Sequence, residues 1–433
     1  MDTATVLKDL SLRGILKDYT NNIESFLSSG EKVKVYLGID PTASSIHIGN
    51  LVPLITLIRL QKYGYEPFLL IGGATGMIGD PSFKSSERVF LDEQTIIENQ
   101  NSIRKQLEKL VSNNCSKPFV ILNNKDWFSE MNTIQFLREA GKNINISYML
   151  TKESIKRRIN NSLSFTEFSY QILQAYDFFY LNDKYGVNLQ LGGGDQWGNI
   201  TTGVDFVRRK SGKEVHALST ILLTKKDGTK FGKTEGGAIW LDANKTSPYE
   251  FYQYWINLSD DDAKKCIAIY SQLPLEQIRE LISQQNSQPE RRFIQRQLAK
   301  EMTLFVHGAE EYERIEKSSE IIFGNSSYED LCRIDNIRSF LHNIANAEIN
   351  REQFFSFNSI FEMLAHVCVP AFFPSRNELK RHINDNCITI NKRKYKMTDP
   401  VSSLDLIDDC ILIQKGKKNY FSIFINGQDK NCY

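Results

Sequence analysis

Residues 33 to 72 form one unit that leaves few folds open to this chain. VKVYLGI (33–39) reads as a buried strand, and Leu51, Leu54, Ile55 and Ile58 then recur at helical spacing. PFLLIG (67–72) is a second strand, ended by glycines. Strand, crossover helix and strand in this order make a parallel pair, which carries its helices on the faces of the sheet. The pattern continues with a helix around 92–111, a strand ending FVILNN at Asn124, helices around 132–140 and 166–181, a strand VNLQLGG to Gly193, and a helix from about 196. The expected fold class is α/β, with a doubly wound, Rossmann-like parallel sheet over residues 1–240.

After Trp240 the strands stop. Residues 246–323 carry helical periodicity, and Ser247-Pro248-Tyr249-Glu250 suits a helix start because Pro is tolerated in the first turn. The stretch 324–352 is rich in Asn and Ser and reads as a linker, and 353–433 turns to short helices and then short strands. At 433 residues the chain exceeds one domain, so this division is expected. The net charge of +1 means that any nucleic-acid contact rests on local patches. No run reaches the ~20 apolar residues of a membrane span, and the acidic, mixed N-terminus (MDTATVLKDLSLRGILKDY) does not match a signal peptide. Seven scattered cysteines without a CxxC pair argue against a zinc knuckle or a disulfide framework and fit a reducing compartment. Cys387 and Cys410 are expected as packed thiols.

Five stretches carry candidate chemistry. In YLGIDPTASSIHIGN (36–50) a turn leaves the first strand at the carboxyl end of the sheet, where open α/β folds bind ligands. The following helix start attracts phosphate oxygens, and His47 and Asn50 can donate to them as charge builds. Gly49 lets a flat group approach the backbone. In KFGKT, Lys230 and Lys233 flank a glycine and Thr234 follows, a loop able to set ammonium groups on a leaving pyrophosphate. Tyr170, Gln174 and Asp177 share one face of an otherwise apolar helix and suit a small-molecule pocket. GGATGMIGDP (72–81) is glycine-rich but not a P-loop, and its Asp80 suits a substrate ammonium group. GGGDQWGN (192–199) lacks the third glycine of a dinucleotide fingerprint, so Gly193 and Asp195 are placed near a ribose instead.

The pair HIGN and KFGKT resembles the two signature motifs of class I aminoacyl-tRNA synthetases. GGATGMIGDPS, YQILQAYD and GGGDQWGN resemble the bacterial-type tyrosyl-tRNA synthetase, and SRNELKRHINDNCITINKRKY (375–395) resembles an S4 RNA-binding module. The resemblance covers nearly the whole chain. It implies that Tyr36 and Asp177 bind the phenolic hydroxyl of tyrosine, that Asp80, Tyr170 and Gln174 hold its ammonium group, and that Gln196 lies near its carboxylate. It places Gly38, Asp40, Gly193 and Asp195 along the tyrosyl and adenosine parts. Thr42, His47, Gly49, Asn50, Lys230, Lys233 and Thr234 fall on ATP, and Lys84 and Arg88 on a basic segment assisting the transition state.

Both motifs depart from the class form: Asn50 replaces the second histidine of the first, and Phe231-Gly232 and Thr234 replace the methionine and serines of the second. Tryptophanyl synthetases share the Asn form. A buried Asp177 favours tyrosine, because a substrate without the hydroxyl would leave that carboxylate unpaired. ATP enters as substrate with its Mg2+, and no protein-bound metal is expected. The implied partners are tRNA(Tyr), L-tyrosine and a second copy of the chain, with 139–148 at the subunit contact. No membrane is involved, and the location is cytoplasmic. In the tail, Arg376, Lys380, Arg381, Lys392, Arg393 and Lys394 form the expected RNA-binding patch. The alternatives are a tryptophanyl-type enzyme, another nucleotidyl-transferring enzyme of the superfold, or an inactive synthetase-like RNA-binding protein.

Overall fold

The computed structural model describes residues 4–82, 91–115, 117–152, 155–156, 159, 163–224, 231–234, 237–324, 326–342, 344–416 and 419–426. Its contacts fall into two compact units, Met1–Ser247 with Phe251–Gly308, and Pro248–Glu250 with Ala309–Tyr433. No described helix is long and apolar enough to cross a membrane.

The first unit is built on a sheet of strands β1 (Leu16–Tyr19), β2 (Lys34–Ile39), β3 (Glu66–Ile71), β4 (Val120–Asn123), β5 (Leu189–Gly193) and β6 (His216–Thr220). Their spatial order is β1-β6-β5-β2-β3-β4, parallel throughout except for β1 against β6. From β2 the chain moves outward to β3 and β4, then returns to the other side for β5 and β6. The order therefore reverses between β2 and β5, and a crevice opens at their carboxyl ends.

Alternation along β2 assigns each face. Val35 and Leu37 join the core under helix α1 (Leu51–Lys62), with Leu51, Leu54 and Ile58. Tyr36 points the other way, into a cluster with Ala175 and Phe178 of α2 (Phe165–Tyr185) and Phe206 of α3 (Trp197–Ser211). Each fully buried Leu or Phe contributes roughly 1.5–3 kcal/mol over its exposed state, so the register of β2 is firmly set. A slip of one residue would remove Tyr36 from the crevice side.

β1 and β6 were not expected from the apolar pattern. β1 is four residues long with alternating exposure, and β6 (HALST) buries His216, Ser219 and Thr220. Its polar groups are paired across the sheet; Ser219 Oγ accepts the Asp18 N–H at 3.1 Å.

The helical segment after Trp240 is held against the α/β layer. Helix α4 (Pro248–Ile256) leads to α5 (Asp260–Tyr270), whose end is gripped from the α/β layer. Arg59, at the end of α1, donates to Ile269 O and Ser271 O (3.1 and 2.8 Å), and Arg13 donates to Ala268 O, Ser271 O and Leu273 O. Two guanidinium groups thus satisfy the orphan carbonyls of α5 and oppose its negative end. Burial, and secondarily Arg13, lowers the Arg59 pKa to about 10. This grip keeps residues through Gly308 in the first unit.

The second unit holds a sheet of order β10-β11-β12-β9, made of β9 (Asn346–Asn350), β10 (Ile388–Ile390), β11 (Cys410–Lys415) and β12 (Asn419–Asn426). The linker expected at 324–352 is a correction. It contains helices Tyr328–Leu331 and Ile337–Leu341, and β9 runs parallel to β12. Its Ser and Asn residues include helix caps, with Ser327 and Asn350 accepting the Asp330 and Gln353 N–H groups. Apolar side chains within it, among them Leu331, Ile337, Phe340, Leu341 and Ile349, are buried. Cys410 is packed as expected, whereas Cys387 is exposed at a turn, its Sγ near Asp385 O.

Candidate active site

The polar centre of the crevice is a continuous hydrogen-bonded chain. Trp127 Nε1 donates to Asp177 Oδ1 and Asn124 Nδ2 to Asp177 Oδ2, both at 3.0 Å. Asn124 Nδ2 also lies 3.0 Å from Thr75 Oγ1, which donates to Asp40 Oδ1 at 2.7 Å. Tyr170 Oη donates to the other oxygen of Asp40 at 2.7 Å. The chain joins the helix triad to the end of β2. It also explains Gly72 and Gly73, because a Cβ on Gly72 would collide with Asp40 Oδ1 and Thr75 Oγ1, and one on Gly73 with Asn123.

At its inner end, Asp177 is 2% exposed and Tyr36 1%. Burial holds the Asp177 carboxyl well above the usual carboxylate range against the opposing hydrogen bonds from Asn124 and Trp127. Burial, and then the Asp177 charge, pushes the Tyr36 phenol up. Tyr36 Oη has no hydrogen-bond partner among the described residues. Each Asp177 oxygen has one protein donor and capacity for another. A hydroxyl reaching this floor could donate to Asp177 and accept from Tyr36.

A second knot lies nearer the mouth. Gln196 Nε2 donates to Asp80 Oδ2 at 2.5 Å, and Ser82 N–H to Asp80 Oδ1 at 3.0 Å. Asn199 Nδ2 is shared among Asp80 Oδ1 (3.4 Å), Gln174 Oε1 (3.2 Å) and Gln196 Oε1 (3.2 Å). The expected residues Asp80, Gln174 and Gln196 are therefore drawn together by an amide that sequence reading passed over. Tyr170, expected with Asp80, instead donates to Asp40. Its oxygen keeps lone pairs for an ammonium N–H, and burial, then Asp40, raises its pKa so that it stays a neutral hydroxyl.

Above the sheet, Gly38, Thr42, Gly49 and Asn50 are exposed, and Gly193 and Asp195 half-buried. A Cβ on Gly49 would stand 2.8 Å from the His47 ring, so the glycine makes room for that imidazole. His47 lies edge-on to Trp240 at 5.9 Å. Lys84, Arg88 and Lys230 lie outside the described residues. Lys233 and Thr234 form a two-residue strand, β7, paired with β8 (Gly237–Ala238). Phe165 is 76% exposed at the start of α2.

In the second unit, Arg376, Lys380 and Arg381 lie exposed on α6 (Arg376–Asn384), and Lys394 is exposed beyond it. Two of the expected RNA contacts are used internally. Lys392 Nζ donates to Ile322 O and Gly324 O (2.7 and 2.9 Å), closing a helix end. Arg393 bridges Glu329 and Asp405 and lies 3.8 Å over the Tyr328 ring.

Comparison with known proteins agrees with this geometry. A family model described as tRNA synthetases class I (W and Y) matches residues 28–324. The tyrosine–tRNA ligase of Amoebophilus asiaticus is 43% identical over 426 residues, 97% of this chain and 99% of its own. The chain belongs to the tyrosyl-tRNA synthetase family. A second relative, the tyrosine–tRNA ligase of Cytophaga hutchinsonii, is 44% identical over 97% of this chain and 99% of its own length. Among solved structures, a C-terminally truncated mitochondrial tyrosyl-tRNA synthetase of Aspergillus nidulans superposes with a TM-score of 0.66. It is 29% identical and covers 72% of this chain and 92% of that one. The family's fold thus accounts for the sheet and crevice, and the two knots are the parts to read for substrate.

Proposed function

We propose that this protein is a tyrosine–tRNA ligase acting in two steps. The tyrosine carboxylate attacks the α-phosphorus of ATP in line, a carboxylate–phosphorus bond forms, and pyrophosphate leaves with the broken α–β bridge. The 3′-terminal ribose hydroxyl of tRNA(Tyr) then attacks the tyrosyl carbonyl and AMP leaves. The observation that carries this reading is the floor of the crevice. There Asp177, with an N–H on each oxygen, acts on the buried Tyr36 phenol, which has no partner among the described residues. That arrangement is complementary to a substrate hydroxyl, and an amino acid lacking one would leave a buried carboxylate underpaired.

In this reading Asp80, Gln174 and Tyr170 take the ammonium group and Gln196 the carboxylate side. Gly38, Asp40, Gly193 and Asp195 follow the tyrosyl and adenosine parts. Thr42, His47, Asn50, Lys84, Arg88, Lys230, Lys233 and Thr234 serve the phosphates, with Mg2+ carried in by ATP. No side chain forms a covalent intermediate; the work is positioning and electrostatic stabilisation. Residues 246–323 are read as a helical anticodon-binding part and 353–433 as an S4-like RNA-binding part of a cytoplasmic enzyme, the RNA face made by Arg376, Lys380, Arg381 and Lys394. A homodimer is supported by the exposed apolar side chains between Val120 and Phe165, among them Ile134, Leu137 and Ile146. Sedimentation equilibrium tests the dimer. Incubation with tyrosine, ATP and tRNA(Tyr) tests the function. The expected product is a base-labile tyrosyl ester on the tRNA 3′ end, and its absence with competent tRNA would refute the reading.

A further inference from the structure

The loop carrying Lys233 is tied to the His47 turn through its backbone. Ile48 N–H donates to Ile239 O at 3.0 Å and Leu241 N–H to Ile46 O at 2.9 Å. Within that frame Phe231 and Gly232, which depart from the class signature, have definite places. Phe231 is 5% exposed, stacked on Tyr270 (6.1 Å, 27°) and edge-on to Tyr254 (5.5 Å, 79°). Gly232 takes φ +83°, and a Cβ there would come within 3.3 Å of Gly49 N and Ile48 Cβ. Its carbonyl accepts from Ile239 N–H at 2.9 Å, and its N–H donates to Tyr254 Oη at 3.1 Å. Phe231 is therefore an anchor in an aromatic box, and Gly232 the point where the loop touches the His47 turn.

We propose that Tyr254 is a positioning residue for amino-acid activation: its phenol oxygen fixes Gly232 and so sets where the adjoining Lys233 stands relative to His47. The inference rests on the ligase reading and adds to it a residue outside both signature motifs. Tyr254 lies on α4, next to Trp255, which is fully buried in the same aromatic group. The helical layer thus bears directly on the phosphate loop. Burial pushes the Tyr254 phenol pKa up, so the group stays a neutral hydroxyl at working pH.

Tyr254→Phe removes one oxygen and leaves the ring against Phe231. The test is single-turnover formation of tyrosyl-adenylate, with sites counted by the adenylate burst and tyrosine affinity measured separately. Loss of one neutral hydrogen bond from the transition-state arrangement is expected to slow adenylate formation roughly fivefold and pyrophosphorolysis equally. Tyrosine affinity and burst size stay at wild-type values, which general loosening of the fold would not allow. A rate within twofold of wild type, or a loss that tracks tyrosine affinity, overturns the proposal. If the wild-type protein shows no tyrosine-dependent exchange, the ligase reading itself fails. Wild-type exchange with an unaltered Tyr254→Phe refutes only the positioning.

Discussion

Trp127→Phe is the sharpest probe of the crevice floor, because it removes the donor N–H, along with the rest of the indole's second ring, while keeping an aromatic ring in place. The ring remains available to stack on Tyr180, now 4.3 Å away at 19°. What is lost is the donor to Asp177 Oδ1 at 3.0 Å, one of two protein N–H groups holding that carboxylate. A hydrogen bond to a charged group contributes about 1.5–3 kcal/mol, so the ionised form is disfavoured roughly ten- to a hundredfold. The change adds to the upward push that burial already gives Asp177. Tyrosine binding is expected to weaken roughly tenfold near neutral pH, and further as the pH falls, because a protonated carboxyl makes the weaker, neutral hydrogen bond. The KM for ATP should not move. The folded Asp177 carboxyl holds its proton more tightly than the unfolded one. Its contribution to stability is therefore greatest below the unfolded pKa and declines as the pH rises toward the folded value. Trp127→Phe extends that decline to higher pH. Equilibrium dialysis with labelled tyrosine from pH 5.5 to 9 reads the effect, at roughly half-unit steps. A tyrosine affinity and pH profile equal to wild type would refute the assignment of Asp177 as the phenol's partner.

Four other substitutions bear on separate parts of the protein. Gly72→Ala places a Cβ on Asp40 Oδ1 and Thr75 Oγ1, both already committed to hydrogen bonds; urea titration should show a loss of about 1–3 kcal/mol, and exchange activity should fall with it. His47→Ala should slow adenylate formation by ~10²-fold with tyrosine affinity unchanged; single-turnover kinetics decide, and an unchanged rate removes His47 from the mechanism. Lys380→Ala should weaken tRNA binding and reduce its salt dependence by about one counterion. Lys392→Ala, which frees the carbonyls of Ile322 and Gly324, should instead lower the stability of the second unit with little change in that slope.

The parallel sheet was legible because β2 and β3 are apolar on both faces, a pattern that only a covered sheet uses. The triad on α2 was legible for a related reason, since polar groups at helical spacing among aromatics need buried partners. Those partners were not legible. Asn124 directly follows β4 at the end of FVILNN, which reads as a plain strand end, and Trp127 sits on the four-residue helix Lys125–Phe128. Each meets Asp177 about fifty residues away, in line with the separations of 53 and 50 between them. Asn199 hid behind the glycines before it, although a polar residue at the start of α3, beside the sheet's carboxyl end, was a usable signal. The short strand β6 escaped because its buried positions are His, Ser and Thr rather than aliphatic. In the tail, charge was visible but its use was not. Lys392 and Arg393 look like neighbouring RNA contacts, yet their partners are carbonyls and carboxylates that include Ile322 and Glu329 on distant segments.

The central claim is that the floor formed by Tyr36 and Asp177 selects a phenol. ATP–pyrophosphate exchange run in parallel with tyrosine, phenylalanine and tryptophan tests it most directly. The account predicts rapid exchange with tyrosine and only traces with the other two, because each of them leaves Asp177 without its third hydrogen bond. Comparable exchange with phenylalanine or tryptophan would contradict it.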